Sequence, residues 1–352
     1  MIGLRQILVS SLLLGAEVYA QTDSLCDKYT KALFTNNTAE NQYTLLVKVV
    51  NTALIGNYTA GAKVKVNGIL VPGMFMGQNV SLLHYFNGGL VSTNRGSKAS
   101  AVNFIDDGGA IPLALDKPAN GNTSNQYKLI THLYEFFGAL LQCSMYGKTG
   151  FPAYSGNANM YDVHKYMNLD PTEMGYFIQE VGLSAASFGV AEADILAVAG
   201  ALNGTFNQRC APPVAVIPSA QAGLQAICIN TACPLATSAM CSSYSTAVEP
   251  ATATSTSGPQ LTDLAPQLSS IAAGEVTKTE MMSSGATSGT MMMTGSMATT
   301  VTDVITSGGS VITMVRTTEV PVTSVPNAGA VQTVAPLMVA VAGAGLVGQM
   351  LL

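Results

Sequence analysis

Three histidines are spread over 352 residues, and one of them, His164, stands where an imidazole can do chemistry. It follows the turn-rich run Gly150-Phe151-Pro152-Ala153-Tyr154-Ser155-Gly156. It also lies between two stretches with strong helical patterning, within the segment Leu133 to Phe206. An imidazole is neutral near pH 7 and ligates transition metals through either ring nitrogen. A lone one between apolar helices therefore suggests a haem iron, which needs an apolar slot, one basic nitrogen and aromatic walls. Other chemistries are poorly served. No Gly-x-Ser-x-Gly run offers a strained nucleophile, and Gly88-Gly89 and Gly108-Gly109 lack the strand and helix context of a nucleotide loop. Asp106-Asp107 could hold a cation, but two adjacent acids more simply face water.

The six cysteines, Cys26, Cys143, Cys210, Cys228, Cys233 and Cys241, read as three disulfides in an oxidising compartment, with fifteen connectivities open. Zinc on Cys228 and Cys233 is the weaker alternative, because no second close pair or histidine completes a tetrahedral site. Four of the six lie at or after Cys210, which suggests a disulfide-tied extension (residues 211–244) holding the end of the last helix. Sequons at Asn36, Asn57, Asn79, Asn122 and Asn203 mark surface asparagines for glycosylation. The net charge of −5, with no basic stripe, argues against nucleic acid as a partner.

The ends read as processing signals. Arg5, the apolar run from Ile7 to Gly15 and the small-residue exit Val18-Tyr19-Ala20 form a secretory signal over residues 1–20. Leu337 to Leu352 is an uncharged apolar tail preceded by Asn327, Ala328 and Gly329. It matches a glycolipid-anchor signal over residues 327–352 with Asn327 as the attachment residue; a membrane-spanning helix is the rival, though about 16 residues is short for a bilayer. Residues 245–326 are rich in Ser, Thr, Ala, Gly, Met and Val and carry no aromatic residue. They cannot bury enough surface to offset chain entropy, and read as a disordered, O-glycosylated stalk. Met281-Met282 and Met291-Met292-Met293 lack a neighbouring Cys or His for soft-metal binding.

Residues 21–210 must position His164. Apolar residues recur at helical spacing from Gln42 to Leu54, from Asn125 to Leu141, from Phe177 to Phe188 and from Ile195 to Phe206. Ser124 caps the second of these helices, and Asp170-Pro171 opens the third. Four amphipathic helices with short joints predict an all-α domain. The stretch of about 58–122 falls outside the pattern, being rich in Gly, Asn and Val, with Lys63-Val64-Lys65-Val66 alternating like a strand. It reads as a long insertion, with room for a small hairpin.

In order along the chain, these residues resemble the truncated haemoglobins. Val49 to Leu54 is similar to their second helix, Leu83-His84-Tyr85-Phe86-Asn87-Gly88 to the corner whose phenylalanine packs on haem, and Leu129 to Leu141 to the distal helix. The run Tyr154-Ser155-Gly156 … Met160-Tyr161-Asp162-Val163-His164-Lys165 resembles the turn and helix that carry the proximal histidine. The resemblance implies a truncated-globin-like, all-α fold with haem b on His164. Phe86, Leu129, Leu133, Phe136, Phe137 and Val181 would line the pocket, and His132 or His84 could serve as a sixth iron ligand. This sequence departs from the family pattern at Val50, Asn51, Leu129 and Leu133, where a tyrosine or other polar donors often stand. An apolar pocket stabilises bound oxygen poorly, which implies nitric oxide, carbon monoxide or haem capture rather than oxygen storage. Any enzymatic activity would be haem-based redox chemistry such as nitric-oxide dioxygenation.

The reading as a whole is a fungal-type, glycolipid-anchored surface protein whose ectodomain binds haem and a small gas ligand. The alternative is a haem-free structural or adhesive module in which the insertion contacts partners such as cell-wall glycan.

Overall fold

The computed structural model describes residues 23–59, 62–218, 220–254, 258–272, 297–307 and 310–320. Five longer helices build the frame: α1 (Leu25–Phe34), α2 (Ala39–Ile55), α5 (Asn125–Leu140), α7 (Pro171–Ser187) and α8 (Glu192–Phe206). Four of them, all but α8, start where a side chain satisfies otherwise orphaned N–H groups. Ser24, Thr38 and Ser124 each accept one, and Asp170 with Glu173 forms a reciprocal capping box around Pro171. α2 packs on α1, α5 and α7, and α7 packs on α8. Leu46, Ile130, Tyr134, Phe151 and Tyr176 are almost completely buried at these contacts, each worth roughly 1.5–3 kcal/mol if an aliphatic side chain is the measure.

The segment between α2 and α5 holds four of the six described strands. β1 (Gly73–Phe75) pairs with β2 (Gln78–Val80); the short α3 (Leu83–Phe86) leads into β3 (Asn87–Arg95), which pairs antiparallel with β4 (Lys98–Asn103) through two register shifts; α4 (Ala110–Ala114) comes next. The insertion shares the frame's apolar core through Ile69, Leu70, Leu82, Leu83, Ile105 and Leu113, and buried polar groups add further ties. Glu180 on α7 accepts from the backbone N–H of Asn67 and Gly68 at 3.0 and 2.8 Å. Tyr134 donates to Asn51, which in turn donates to the Leu113 carbonyl. Gly68 has φ of +82°, and a Cβ there would sit 2.3 Å from the Gly56 nitrogen, so two backbones cross where no side chain fits.

After α5, a loop closed by Cys26–Cys143 leads to α6 (Met160–His164), and then to α7 and α8. Cys210–Cys241 and Cys228–Cys233 tie the extension, whose Ile227 and Cys228 N–H groups both bond the Phe206 carbonyl at the end of α8. Three disulfides place the chain in an oxidising, extracellular setting. Among the described residues, no helix is long and apolar enough to cross a membrane.

The all-α expectation is corrected: the fold mixes helix with antiparallel strand. The alternating Lys63 to Val66 run is not among the strands, although Val64 and Val66 are buried against Leu183. Part of the expected disordered stalk also carries structure. Residues 251–253 and α9 (Leu261–Ala272) lie on the insertion, and β5 (Met297–Ser307) pairs antiparallel with β6 (Ser310–Val320). Residues 1–20, the Met281 and Met291 patches and Asn327 lie outside the described residues.

Candidate functional site

α6 is only five residues long, so its neighbours must hold it. Asn159 caps it by accepting from the Asp162 N–H, and the extension grips its first turn: Met160 N–H bonds Gln225 Oε1 and Tyr161 N–H bonds the Leu224 carbonyl. Asp162 pairs with Lys165 at 2.8 Å and accepts from Asn157.

At the end of this helix His164 is half-buried, and its Nδ1 lies 2.8 Å from the Met160 carbonyl oxygen. A carbonyl can only accept, so Nδ1 carries the proton and Nε2 presents the lone pair. Burial holds the imidazole below its ordinary pKa, with the carbonyl contact opposing in part, and so keeps the ring neutral. A neutral imidazole anchored through one nitrogen is the arrangement that metal-bound histidines use, because the outer contact fixes both tautomer and ring orientation.

A separate feature is an apolar cavity of about 80 Å³ among α1, α2, α5, α7 and α8. Leu133, Phe137 and Val181 line it together with Val49, Val50 and Val198. A chamber walled this way stays dry and takes apolar atoms rather than water. The structure therefore brings three of the expected pocket residues into one space. Phe136 is buried elsewhere, against Phe137, Tyr154 and Phe206. Phe86 and Leu129 are partly buried on α3 and α5, and His164 is not among the residues lining this cavity.

The other two histidines have different surroundings. His132 faces the Tyr154 ring at 5.3 Å, with Ser155 Oγ 3.5 Å from Nε2, and burial lowers its pKa. His84 is exposed on α3. Asn36, Asn79, Asn122 and Asn203 are exposed, whereas Asn57 is half-buried and accepts from the Val66 N–H.

Sequence reasoning missed the buried acids. Glu135, on α5, is 7% exposed and one carboxylate oxygen has no hydrogen-bond partner. Burial pushes its pKa up to about 7, against a contact from the Ser155 N–H. Glu180 is likewise raised by burial. Both interrupt an apolar helical face, between Leu133 and Phe136 and between Ile178 and Val181, and that interruption was the available signal.

The hairpin β3–β4 bridges the two helices that flank this region. Asn94 donates to the Asp162 carbonyl of α6 at 2.7 Å, Arg95 donates to Asn125 at the start of α5 at 2.8 Å, and Tyr166 donates to the Ser97 carbonyl at the hairpin tip. An open polar cleft of about 320 Å³ lies beside it, lined by Arg95, Asn103, Asp106 and Asn125 with an apolar floor of Ala101 and Val102. No protein-family model, curated protein or solved structure matches this chain.

Proposed function

We propose that the domain binds haem outside the cell, with His164 as the protein ligand to iron. The observation that carries this reading is the anchored, neutral imidazole: Nδ1 held on the Met160 carbonyl and Nε2 left as the donor. The donor chemistry fits a porphyrin iron, which takes a single axial histidine in many haem proteins. Phe86 and Leu129, partly buried on α3 and α5, would contribute wall. The 80 Å³ cavity is far too small for the macrocycle, but its apolar lining suits an uncharged diatomic molecule. Haem bound at His164 would supply an iron for such a molecule outside this cavity, which His164 does not line. With Leu129 and Leu133 on the distal helix and no polar side chain at those positions, nitric oxide or carbon monoxide sensing, or haem capture, is favoured over oxygen storage. The apolar tail with Asn327 supports attachment to the cell surface through a glycolipid.

A second reading, a haem-free surface module, is favoured by the hairpin that spans from α6 to α5. One experiment separates the two. The purified chain and a His164→Ala variant are mixed with haem and gel-filtered. A Soret band that travels with the parent chain and is lost or shifted in the variant is expected. A folded parent chain that retains no haem would sink the haem reading and leave the surface module.

A further inference from the structure

The three disulfides end at Cys241, which is the last cysteine in the chain. Beyond it, the folded residues are held by non-covalent contacts alone, and these contacts run in sequence across the molecule. Ser245 N–H bonds the Tyr161 hydroxyl, and Glu249 accepts from Asn168. Residues 251–253 then lie along β3: Val91 N–H bonds the Ala251 carbonyl, Ala253 N–H bonds the Gly89 carbonyl, and Leu90 faces Thr252 in an antiparallel bridge. Gly258 passes so close that a Cβ would meet Asn103 and the Asn87 carbonyl at 2.5 Å. α9 finally seats Leu264, fully buried, against the α4 region, where Gln267 accepts from the Ala110 N–H.

This strap covers the edge of β3 that β4 leaves open. An uncovered edge presents unpaired backbone groups and pairs readily with another extended segment. Among the described residues the strap's buried apolar anchors are few, Leu264 and Ile271 with Leu268 packed beside them, against more than twenty residues that must be ordered. Such an element opens at lower free energy than the body it rests on. Val248, just before the paired residues, is 69% exposed.

We propose that the strap is exchangeable: the same segment of a second copy of this chain takes the same seat on β3 and α4, so that two copies join by trading straps. The contacts within one chain are those the exchanged strap makes between two, so exchange costs no new complementarity, and closed symmetry results when both copies trade. The disulfide-tied body need not unfold.

The test uses full-length chains with two different tags. In one chain, Leu90→Cys with Thr252→Cys reports whether the strap closes on its own body under mild oxidation. Separately, a Leu90→Cys chain is mixed at high concentration with a differently tagged Thr252→Cys chain. The expected result is a mixed-tag covalent dimer, at least several-fold above that formed when the second chain carries Val248→Cys instead, and reduced when Leu264→Asp is added. The proposal is overturned if the double variant closes within one chain but the mixture gives no more mixed dimer than the Val248→Cys control. It is also overturned if the double variant fails to close, because the strap then does not sit on β3.

Discussion

The helical frame and the insertion share one apolar core but differ in the polar ties laid over it. In the frame, α2, α5 and α7 meet through buried apolar side chains, so its stability is spread over many contacts of similar size. The insertion enters the same core through Ile69, Leu70, Leu82, Leu83 and Leu113, and adds single polar groups at its seams: Glu180 on the Asn67 and Gly68 amides, Asn51 on the Leu113 carbonyl, Gln126 on the Gly109 backbone. The frame should therefore lose stability as a unit, and the loss of one polar tie should loosen the insertion locally. Burial area governs the shared core and satisfied hydrogen bonds govern the local ties.

The largest effect is expected from the disulfide that spans the frame. Cys26–Cys143 closes 117 residues of sequence and Cys228–Cys233 closes five. In the loop-entropy account the first contributes about 4–5 kcal/mol and the second about 2 kcal/mol. Urea unfolding of Cys26→Ser/Cys143→Ser beside Cys228→Ser/Cys233→Ser checks this; equal losses would show that strain or residual structure, rather than loop length, sets the values. Next comes Leu46→Ala, at 1% exposure in the centre of α2, with an expected cost of about 2–5 kcal/mol. Its loss should appear as a single cooperative transition shifted to lower denaturant. A separate early transition would mean that the frame is not one unit.

This contrast also explains why some elements were legible in the sequence and others were not. Apolar spacing located α2, α5, α7 and α8 to within a few residues, and Ser124 and Asp170 act as the caps their types predict. α1 escaped notice because Asp27, Thr30 and Lys31 break its apolar stripe, and two of those polar residues are buried. β3 and β4 escaped because they contain Asn, Gly and Ser where alternating apolar residues would announce a strand; their pairing is defined by distant partners, including the strap, that no local window contains. The strap reads as stalk because it shares the Ser, Thr and Ala bias of residues 273–326; among the described residues of α9, the buried Leu264 and Ile271 set it apart. His164 was found by its setting. That its Nδ1 meets the Met160 carbonyl emerges only from the helix being placed.

Sharpening the comparison on the insertion side, Glu180→Ala leaves two backbone N–H groups without their acceptor, at an expected cost of about 1–3 kcal/mol. The frame should survive. Amide exchange read by mass spectrometry should rise over residues 62–72 well before α2 and α5 change, and a uniform rise across all helices would show that the insertion and frame unfold together.

The smallest effect is a slope with pH, and Glu135 is where the two kinds of attachment meet. It lies on a frame helix but holds the Ser155 amide of the loop that leads to α6. Its pKa rises from 4.5 to about 7 because burial disfavours the carboxylate. The folded chain then binds more protons than the unfolded one between these values, so this group's stabilising contribution is present below about pH 4.5 and is lost as pH climbs through 7. The expected slope is on the order of 1 kcal/mol per pH unit at most. Glu173 and Glu180, also raised by burial, add in the same direction. His132 and His164, whose pKa values burial lowers, act in the opposite direction by losing stability as pH falls. The parent chain alone therefore cannot isolate the contribution of Glu135, but Glu135→Gln can. It keeps an acceptor for Ser155 and removes the ionisation, so thermal midpoints of the variant should fall less steeply from pH 5 to 7.5 than those of the parent. Parallel slopes would mean that water reaches the unpartnered oxygen and that Glu135 ionises without consequence for the loop.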